Sequence, residues 1–583
     1  MSLTRRTFVS LGALAAVPLR ATASSAAEVD SGPFGPAIEY VHAFVQQYLH
    51  EIGAPGLTLA LADHSGVRHV ASFGVADLVT HEPVRVDHQF HIGSISKSMV
   101  GLMLMQLVDE GRISVQDPIE RHLPGLRFDS PGAPITIHHL LTHTAALPDG
   151  PLFPPDPGFR HRPAGPLGRD FHYCNQGWRA LGHLVEHVDR RSLGESLHAR
   201  LFAPLGMGHS GVITFDDAPH VVRSYWPART DRPYAVHDPL DVAPRIVETD
   251  GAGCVASTPA DMGRYLQFLI NGGVLPDGRR LVSERSFAAF TTPHIEADEF
   301  GNSAHYGYGL AVDLFDGHRR LRHTGGMTSF ASALEVDTQS GIGVFASVNA
   351  MQGIRPRPVA EAALRAVRAA LEGRPQATLA PRRAPRHIDA PALFIGRYLT
   401  TGGPAVQIVA DGVGIALEQP ALRGPGVMRR PLHPVCGADG LFVTRGGNGD
   451  DLNALVFESA EVAGHPSASF GWGSATFVRE GVKRPTKPAA PAEWSAYTGH
   501  YRSEDPWVGS HRIILRDASL WMDGAIPLEP TGDGRFWWRN EPTSPEWVAF
   551  ADVIGGRAMR LVISGDHLVR ISEATDPSFG DSA

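Results

Sequence analysis

The stretch SISKSMVGLMLMQLVDEG, Ser94 to Gly111, decides how the rest of this chain reads. It holds the only lysine before residue 483. Of 52 basic residues three are Lys (Lys97, Lys483 and Lys487), so arginine serves almost everywhere a positive charge is needed. An arginine does not give up its proton in a protein, whereas a buried lysine can be shifted toward its neutral amine and act as a base. Lys97 is therefore a candidate for chemistry.

Apolar residues recur at helical spacing from Ser94 and stop at Gly111, which predicts a buried helix with Ser94 at or beside its N-terminus. Ser94 and Lys97 are i and i+3, on one face and within reach of a hydrogen bond. The helix start also aims unpaired backbone N–H groups and the positive end of the dipole at any negative charge that forms beside Ser94. Nucleophile, base and part of an oxyanion hole would coincide there. An N-capping serine with a surface lysine has the same spacing, so its company matters.

Two further stretches supply it. In FHYCNQGWRALGHLVEHV, Tyr173 and Asn175 are two apart in an extended piece before a helix, which puts both side chains on one side. A core tyrosine followed by an asparagine N-cap is the alternative. RLRHTGGMTSFASALEVDTQSGIGVFASVN reads as three consecutive strands, with His323-Thr324-Gly325-Gly326 on the first. The glycines would let a substrate backbone lie against the strand edge, although a hairpin with a solvated histidine fits too.

Taken in this order, the three stretches resemble the active site of the penicillin-recognising serine hydrolases, in the class C β-lactamase-like branch that includes D-aminopeptidases, D-Ala-D-Ala carboxypeptidases and esterases. The family pattern of Ser-x-x-Lys, Tyr-x-Asn and Lys/His-x-Gly is met at Ser94/Lys97, Tyr173/Asn175 and His323/Gly325. ITIHHLLTHTAALP and GCVASTPADMGRYLQFLINGG resemble other family stretches, the second with a Thr258/Asp261 capping box. The resemblance covers roughly residues 34 to 370. It implies an α+β fold: a β-lactamase/transpeptidase-like domain with an antiparallel sheet flanked by helices, plus a helical lobe carrying Ser94 and Lys97.

It also implies roles. Ser94 attacks a carbonyl to give an acyl-enzyme, Lys97 and Tyr173 share the general-base duty, and the Ser94 and Gly326 N–H groups hold the oxyanion. Asn175 and Gly325 bind substrate, and His323 belongs to the catalytic set. Free Lys and Tyr titrate near 10, so neutral-pH work needs a shift of about three units, roughly 4 kcal/mol, which only the coupled pair can supply. The family's lactamases place a permanent cation where this chain has His323, which is only partly charged near neutral pH. Carboxylate-bearing substrates lose an anchor. Ala145-Ala146 also replaces the family's usual Ser-Gly.

Composition sets the frame around this site. The chain has 583 residues, 43% of them hydrophobic, enough for about three domains with their own cores. A net charge of −9 without a basic run argues against nucleic acid and an anionic membrane surface as partners. A small peptide, amide or ester substrate is expected, with no cofactor and no metal. Oligomeric state is left open, a homodimer included. Residues 1–27 read as a twin-arginine signal peptide: Arg5-Arg6, a short apolar run and an Ala21-Thr22-Ala23 triplet. That predicts a periplasmic or secreted protein without a stable membrane anchor, the run being too short to span a bilayer. Cys174, Cys254 and Cys436 are too few and scattered for a disulfide framework.

The catalytic domain is expected over 28–373, closed by the helix PVAEAALRAVRAALEG, and followed by a Pro/Arg-rich linker over 374–391. An internal repeat comes next. Aromatic-x-Gly-x-Tyr occurs at Phe394–Tyr398 and at Tyr497–Tyr501, and PLHPVCGADGLF, Pro431 to Phe442, matches PLEPTGDGRF, Pro527 to Phe536. Two small antiparallel β-barrels are expected, over 392–482 and 493–583, joined by a linker over 483–492. A catalytic domain with His in the third motif and two such barrels looks like the D-aminopeptidase arrangement, in which a barrel loop reaches toward the active site. A D-aminopeptidase-like serine hydrolase is the leading reading; an esterase, a D-Ala-D-Ala carboxypeptidase or a β-lactamase of the same fold follows. From other classes, a non-turnover ligand-binding protein is opposed by the intact Ser94, Lys97 and Tyr173. A zinc hydrolase would use His139 and His143, i and i+4 in HHLLTH, but the glutamate between them that it needs as base is missing.

Overall fold

The computed structural model describes residues 23–27 and 34–574, apart from 131, 153–159, 213–219, 352, 385, 402, 422–424, 437, 446–452, 459–465, 484–488, 540 and 542. Nine strands form one antiparallel sheet: β1 (Ala23–Ala27), β2 (Gly56–Asp63), β3 (Gly66–Gly74), β4 (Ile295–Glu296), β5 (His305–Tyr306), β6 (Ala311–Phe315), β7 (His318–Met327), β8 (Phe330–Asp337) and β9 (Ile342–Val348). Their order is β1-β3-β2-β9-β8-β7-β6-β5-β4.

Side-chain alternation splits this sheet into two cores. In β2, Leu57, Leu59 and Leu61 face α1 (Gly35–Ile52) and the helix Arg357–Leu371, packing with Val41, Val45 and Leu364. Ala60 and Ala62 point the other way, into the core that holds α2 (Ser96–Asp109), α3 (Asn175–Asp189) and α4 (Pro259–Ile270). The helix after β9 becomes α5, and Gly373 follows it at φ +65°, a left-handed stop natural to glycine. From Ser96 to Leu107 every residue of α2 is buried, so it is a core helix enclosed on all sides, apolar apart from Ser96, Lys97, Ser98 and Gln106.

Strand β7 is paired fully on one side and only partly on the other. It pairs with β8 along its length, from Arg320↔Asp337 to Met327↔Phe330. β6 pairs with it only from Phe315↔His318 to Ala311↔Arg322. Among the described residues, His323 to Met327 thus leave one edge without a strand partner.

Within the stretch read as a leader, Ala23–Ala27 pairs with β3 as an edge strand. The Arg5-Arg6 pattern lies outside the described residues. Among those described, no helix is long and apolar enough to cross a membrane.

Each repeat closes into an eight-stranded barrel with sequential neighbours paired, one from Gly396–Leu399 to Ala475–Arg479, the other from Gly499–Arg502 to Asp566–Ser572. Their shared motif has a physical reason. The Tyr398 hydroxyl donates to the Phe394 carbonyl at 2.8 Å, and the Tyr501 hydroxyl to the Tyr497 carbonyl at the same distance. Arg479 and Arg570, from the closing strands, donate to those hydroxyls at 2.8 and 3.3 Å. A side chain at Gly499 would meet the Arg570 guanidinium at 2.7 Å, and one at Gly396 would likewise strike that of Arg479, so each glycine leaves room for the arginine that donates to the tyrosine hydroxyl. The interiors are filled by aromatic and aliphatic side chains, Phe442, Phe457, Phe470 and Trp472 in the first barrel, Leu528, Phe536 and Leu561 in the second.

Both barrels lean on the catalytic domain. Cys436 N–H donates to the Tyr234 carbonyl at 2.8 Å and Arg445 pairs with Asp238 at 2.8 Å. From the second barrel, Glu546 accepts from the Asp149 N–H at 2.7 Å. The expected Thr258/Asp261 capping box is half formed. Thr258 accepts from the Asp261 N–H, but the Asp261 carboxylate turns instead to the His209 N–H at 2.7 Å and to Arg264 at 2.7 Å. Cys174, Cys254 and Cys436 are all free thiols.

Candidate active site

Ser94 sits in a single 3₁₀ turn, Gly93–Ile95, that runs directly into α2. The turn is held against the free edge of β7. Gly93 has φ +52°, and a side chain there would stand 2.7 Å from the Gly326 nitrogen. A side chain at Gly325 would overlap the Ile92 carbonyl oxygen. Two glycines thus let the nucleophile's turn touch the strand backbone. Gly325 is used for this internal contact rather than for an open face toward substrate; Gly326 lines the cleft.

Lys97, one turn into α2, is fully buried. Its Nζ lies 2.9 Å from Ser94 Oγ, 2.7 Å from Asn175 Oδ1 and 2.8 Å from the Ala252 carbonyl. Two of these partners can only accept. A neutral amine has two N–H bonds to give, so they go to Asn175 and Ala252 and the lone pair is left facing the Ser94 hydroxyl. Burial holds the Lys97 ammonium down at about 7, against the opposing pull of Asp149 and Asp250.

Asn175 does not cap α3. Its amide nitrogen donates to Asp149 Oδ2 at 2.7 Å, which turns its oxygen toward Lys97, while Asp149 Oδ1 accepts from the Gln176 N–H at 3.0 Å. Tyr173 places its ring 4.9 Å from Lys97 Nζ and its phenol beside Ser94. Burial pushes that phenol well above its ordinary value, so it is a neutral hydroxyl. The ring stacks on His143 at 4.4 Å.

His323 differs from the sequence expectation of partial charge. It is 1% exposed, its Nε2 lies 2.9 Å from the Tyr306 hydroxyl, and its Nδ1 bonds the Thr324 carbonyl. Desolvation, then Lys97, pushes it down to about 3, so it stays uncharged. It stands behind Tyr173 in an aromatic group with Phe300 and Tyr306, outside the lining of the cleft. His139 and His143 do not converge on a common point of use. His139 Nδ1 reciprocates the Thr136 cap, and the nitrogens of His143 meet the Cys174 N–H and the Trp178 indole N–H, each at 2.9 Å.

Ser94, Asn175 and Gly326 line a cleft cavity of about 60 Å³ with Arg179, Glu248, Gly253, Met327 and, from the second barrel, Trp507. Arg179 pairs with Asp250 at 2.9 Å. Burial and the neighbouring Asp250 push the Glu248 carboxyl up to about 8. Sequence reasoning missed Asp149, Glu248 and Trp507. Asp149 sits in Leu-Pro-Asp-Gly and Trp507 in Asp-Pro-Trp, both of which read as turns, and only the folded chain brings them to Ser94.

An antiparallel sheet between two helical layers, with Ser and Lys at the head of a buried helix, defines a hydrolase fold. Residues 41–369 match the Beta-lactamase family model. The chain belongs to the β-lactamase family and has the β-lactamase and penicillin-binding-protein fold, and it spans less than two thirds of the length of several curated relatives it matches. Penicillin-binding protein 4 of Amycolatopsis lactamdurans is 30% identical over 323 residues, 49% of this chain and 79% of that protein. A D-aminopeptidase of Brucella anthropi is 26% identical over 312 residues, 49% of this chain and 54% of the relative. A penicillin-binding protein of Bacillus subtilis (strain 168), PbpX, is 26% identical across 46% of this chain and 64% of its own length. The octameric penicillin-binding protein homologue from Pyrococcus abyssi superposes with a TM-score of 0.52 at 22% identity, covering 76% of this chain and all of that one, 100%.

Proposed function

We propose that the chain hydrolyses amide or ester bonds of small peptides or amino-acid derivatives through an acyl-enzyme on Ser94, with a D-aminopeptidase-like preference. The observation that carries this reading is the buried Lys97 amine, whose two N–H bonds are tied to Asn175 and Ala252 while its lone pair faces Ser94 Oγ at 2.9 Å. Ser94 gives its proton to Nζ as Oγ bonds to the carbonyl carbon, and charge gathers on the carbonyl oxygen beside the Ser94 and Gly326 N–H groups. The tetrahedral adduct collapses as the leaving amine or alkoxide takes a proton. Water, giving its own proton to the Lys97 amine, then attacks the ester, and the acid departs with Ser94 restored.

The opposite shifts of the two candidate bases support a division of labour. Lys97 is pushed toward its neutral form and is the base; Tyr173 is pushed away from phenolate and serves as a neutral hydroxyl that hands a proton onward from Lys97 to the leaving group. Asn175 orients Lys97 from the cleft wall, and His323 acts as uncharged packing behind Tyr173. The D-aminopeptidase preference draws on the two barrels, on Trp507 entering the cleft, and on the Brucella anthropi relative. Esterase, carboxypeptidase and β-lactamase activity on the same site follow it. We further propose that a twin-arginine leader exports the chain to the periplasm or medium.

A panel of D- and L-amino-acid amides, short-chain esters, D-Ala-D-Ala peptides and nitrocefin decides among these. Turnover is expected for D-amino-acid amides, and Ser94→Ala removes it. Activity that survives Ser94→Ala would contradict the site.

A further inference from the structure

Two segments of the catalytic domain that support Lys97 and Tyr173, the turn at 148–151 and residues 172–175, meet on one side chain of the second barrel. Glu546 lies in the loop between the strands Arg535–Trp538 and Val548–Ile554 and is 7% exposed. Its Oε1 accepts from the Asp149 N–H at 2.7 Å and from His172 Nε2 at 2.9 Å, and its Oε2 accepts from the Ser564 hydroxyl. A carboxylate oxygen only accepts, so His172 carries a hydrogen on Nε2.

The backbone is shaped for this contact. A side chain at Gly150 would overlap the Ser564 carbonyl oxygen, and one at Gly565 would stand 3.3 Å from Pro151, so two glycines let the turn and the barrel's hairpin touch. Each supported segment leads to a group at Ser94. Asp149 Oδ2 takes the Asn175 amide at 2.7 Å, and Asn175 Oδ1 takes a hydrogen from Lys97 Nζ. His172 directly precedes Tyr173; its N–H donates to the His143 carbonyl at 2.9 Å, and the Tyr173 N–H donates to Glu299 at 3.2 Å. One barrel carboxylate therefore ties the segment that orients the base to the segment that carries the phenol.

We propose that Glu546 is a positioning residue for the reaction at Ser94, so that the second barrel completes the active site by holding the Asp149 turn and the Tyr173 segment in register. The proposal deepens the serine-hydrolase reading and rests on it. Glu546 does not line the cleft at Ser94; it acts through Asp149 and His172. After burial, the charges that act most on Lys97 are Asp149, Asp250, Arg179 and Glu248, so Glu546 bears on that amine through where it places Asp149. Loss of the Glu546 acceptor leaves the Asp149 and His172 donors unpaired at the domain interface, and the two segments must shift to find new partners.

The test compares Glu546→Ala and Glu546→Gln in the full chain, on whichever substrate of the panel turns over fastest, with melting temperature as the check on folding. Glu546→Ala is expected to lower kcat by roughly tenfold or more with KM within about threefold, because it loosens the reacting groups rather than the cleft. The acid limb of kcat/KM moves to lower pH as Asp149 draws away from Lys97, a shift that a merely structural role would not produce. Glu546→Gln keeps an oxygen for both donors and a partner for Ser564, so it retains most of the turnover and leaves the limb in place. Should Glu546→Ala not fold, Gly150→Ala, which pushes the same turn off the Ser564 carbonyl, is read in its stead. Glu546→Ala that keeps wild-type kcat, or loses it with the limb unmoved, overturns the proposal while leaving the hydrolase reading intact. A limb moved as far by Gln as by Ala assigns the effect to charge and overturns it too. Absence of any Ser94-dependent turnover in the wild type removes the functional reading itself, and the positioning role with it.

Discussion

The Asn175 side-chain amide donates to the Asp149 carboxylate at 2.7 Å, and this bond determines which end of the amide Lys97 meets. With the nitrogen engaged, the oxygen must face Nζ and take one of its hydrogens. Asp149 is itself held from the second barrel, where Glu546 accepts its N–H at 2.7 Å. A line of hydrogen bonds thus runs from a barrel side chain to the nucleophile, through Asp149, Asn175 and Lys97.

Asp149→Ala frees the Asn175 amide to rotate and also removes a negative charge that favours the Lys97 ammonium. Both effects have a sign. Turnover falls by roughly tenfold or more, because a misplaced orienting group loosens the reacting geometry. The acid limb of the pH profile of kcat/KM moves to lower pH, because Lys97 sheds its proton more readily without Asp149. A limb that stays in place would show that Asp149 does not communicate with Lys97.

Lys97 also makes a prediction about stability. Unfolded, its ammonium titrates at about 10.5; folded, burial brings it down to about 7. Between those values the unfolded chain binds more protons, so the Lys97 contribution rises with pH through that window and is least favourable below about 7. Lys97→Met therefore unfolds at higher denaturant than wild type at pH 6, and its advantage shrinks by on the order of 4 kcal/mol by pH 10. Denaturant titrations at the two pH values check this. An advantage independent of pH would mean that the amine is not titrating in the folded chain.

The glycines around the nucleophile give a pair of opposite expectations. Gly325→Ala drives a methyl group into the Ile92 carbonyl, so β7 and the Ser94 turn must separate, and activity is lost even where the chain still folds. Ala146 occupies a left-handed conformation, φ +50°, at the place where the family's stretch has glycine. Ala146→Gly relieves that strain and stabilises by about 1 kcal/mol, readable as a rise in melting temperature. Destabilisation at 146 would show that the alanine methyl, not the backbone, governs that turn.

Much of this was legible in the sequence, for reasons tied to distance along the chain. Ser94 and Lys97 are three residues apart on one helix, and Tyr173 and Asn175 two apart at another's start, so local periodicity is enough to pair them. The barrel motif was legible because it occurs twice, at Phe394–Tyr398 and Tyr497–Tyr501. Asp149, Glu546 and Trp507 were not, because Asp149 reaches Asn175 only through the folding of a turn 26 residues earlier in the chain, and Glu546 and Trp507 only through the packing of the second barrel against the catalytic domain. His323 was placed on the right strand with the wrong charge, since a histidine's protonation depends on burial against Tyr306 and Phe300, which no spacing reveals. Gly325 was given the wrong neighbour for the same reason: Ile92 lies 233 positions earlier in the chain.

Catalysis here depends on an amine that can be neutral at position 97, and Lys97→Arg tests that most directly. A guanidinium keeps the positive charge and the donors but cannot surrender a proton. Turnover of the best substrate from the panel should be measured together with labelling of Ser94 by a serine-directed phosphonate, with circular dichroism as the check on folding. A folded variant with turnover lowered by roughly a thousandfold or more and labelling equally slowed is the predicted result. A folded variant that keeps wild-type turnover would contradict it.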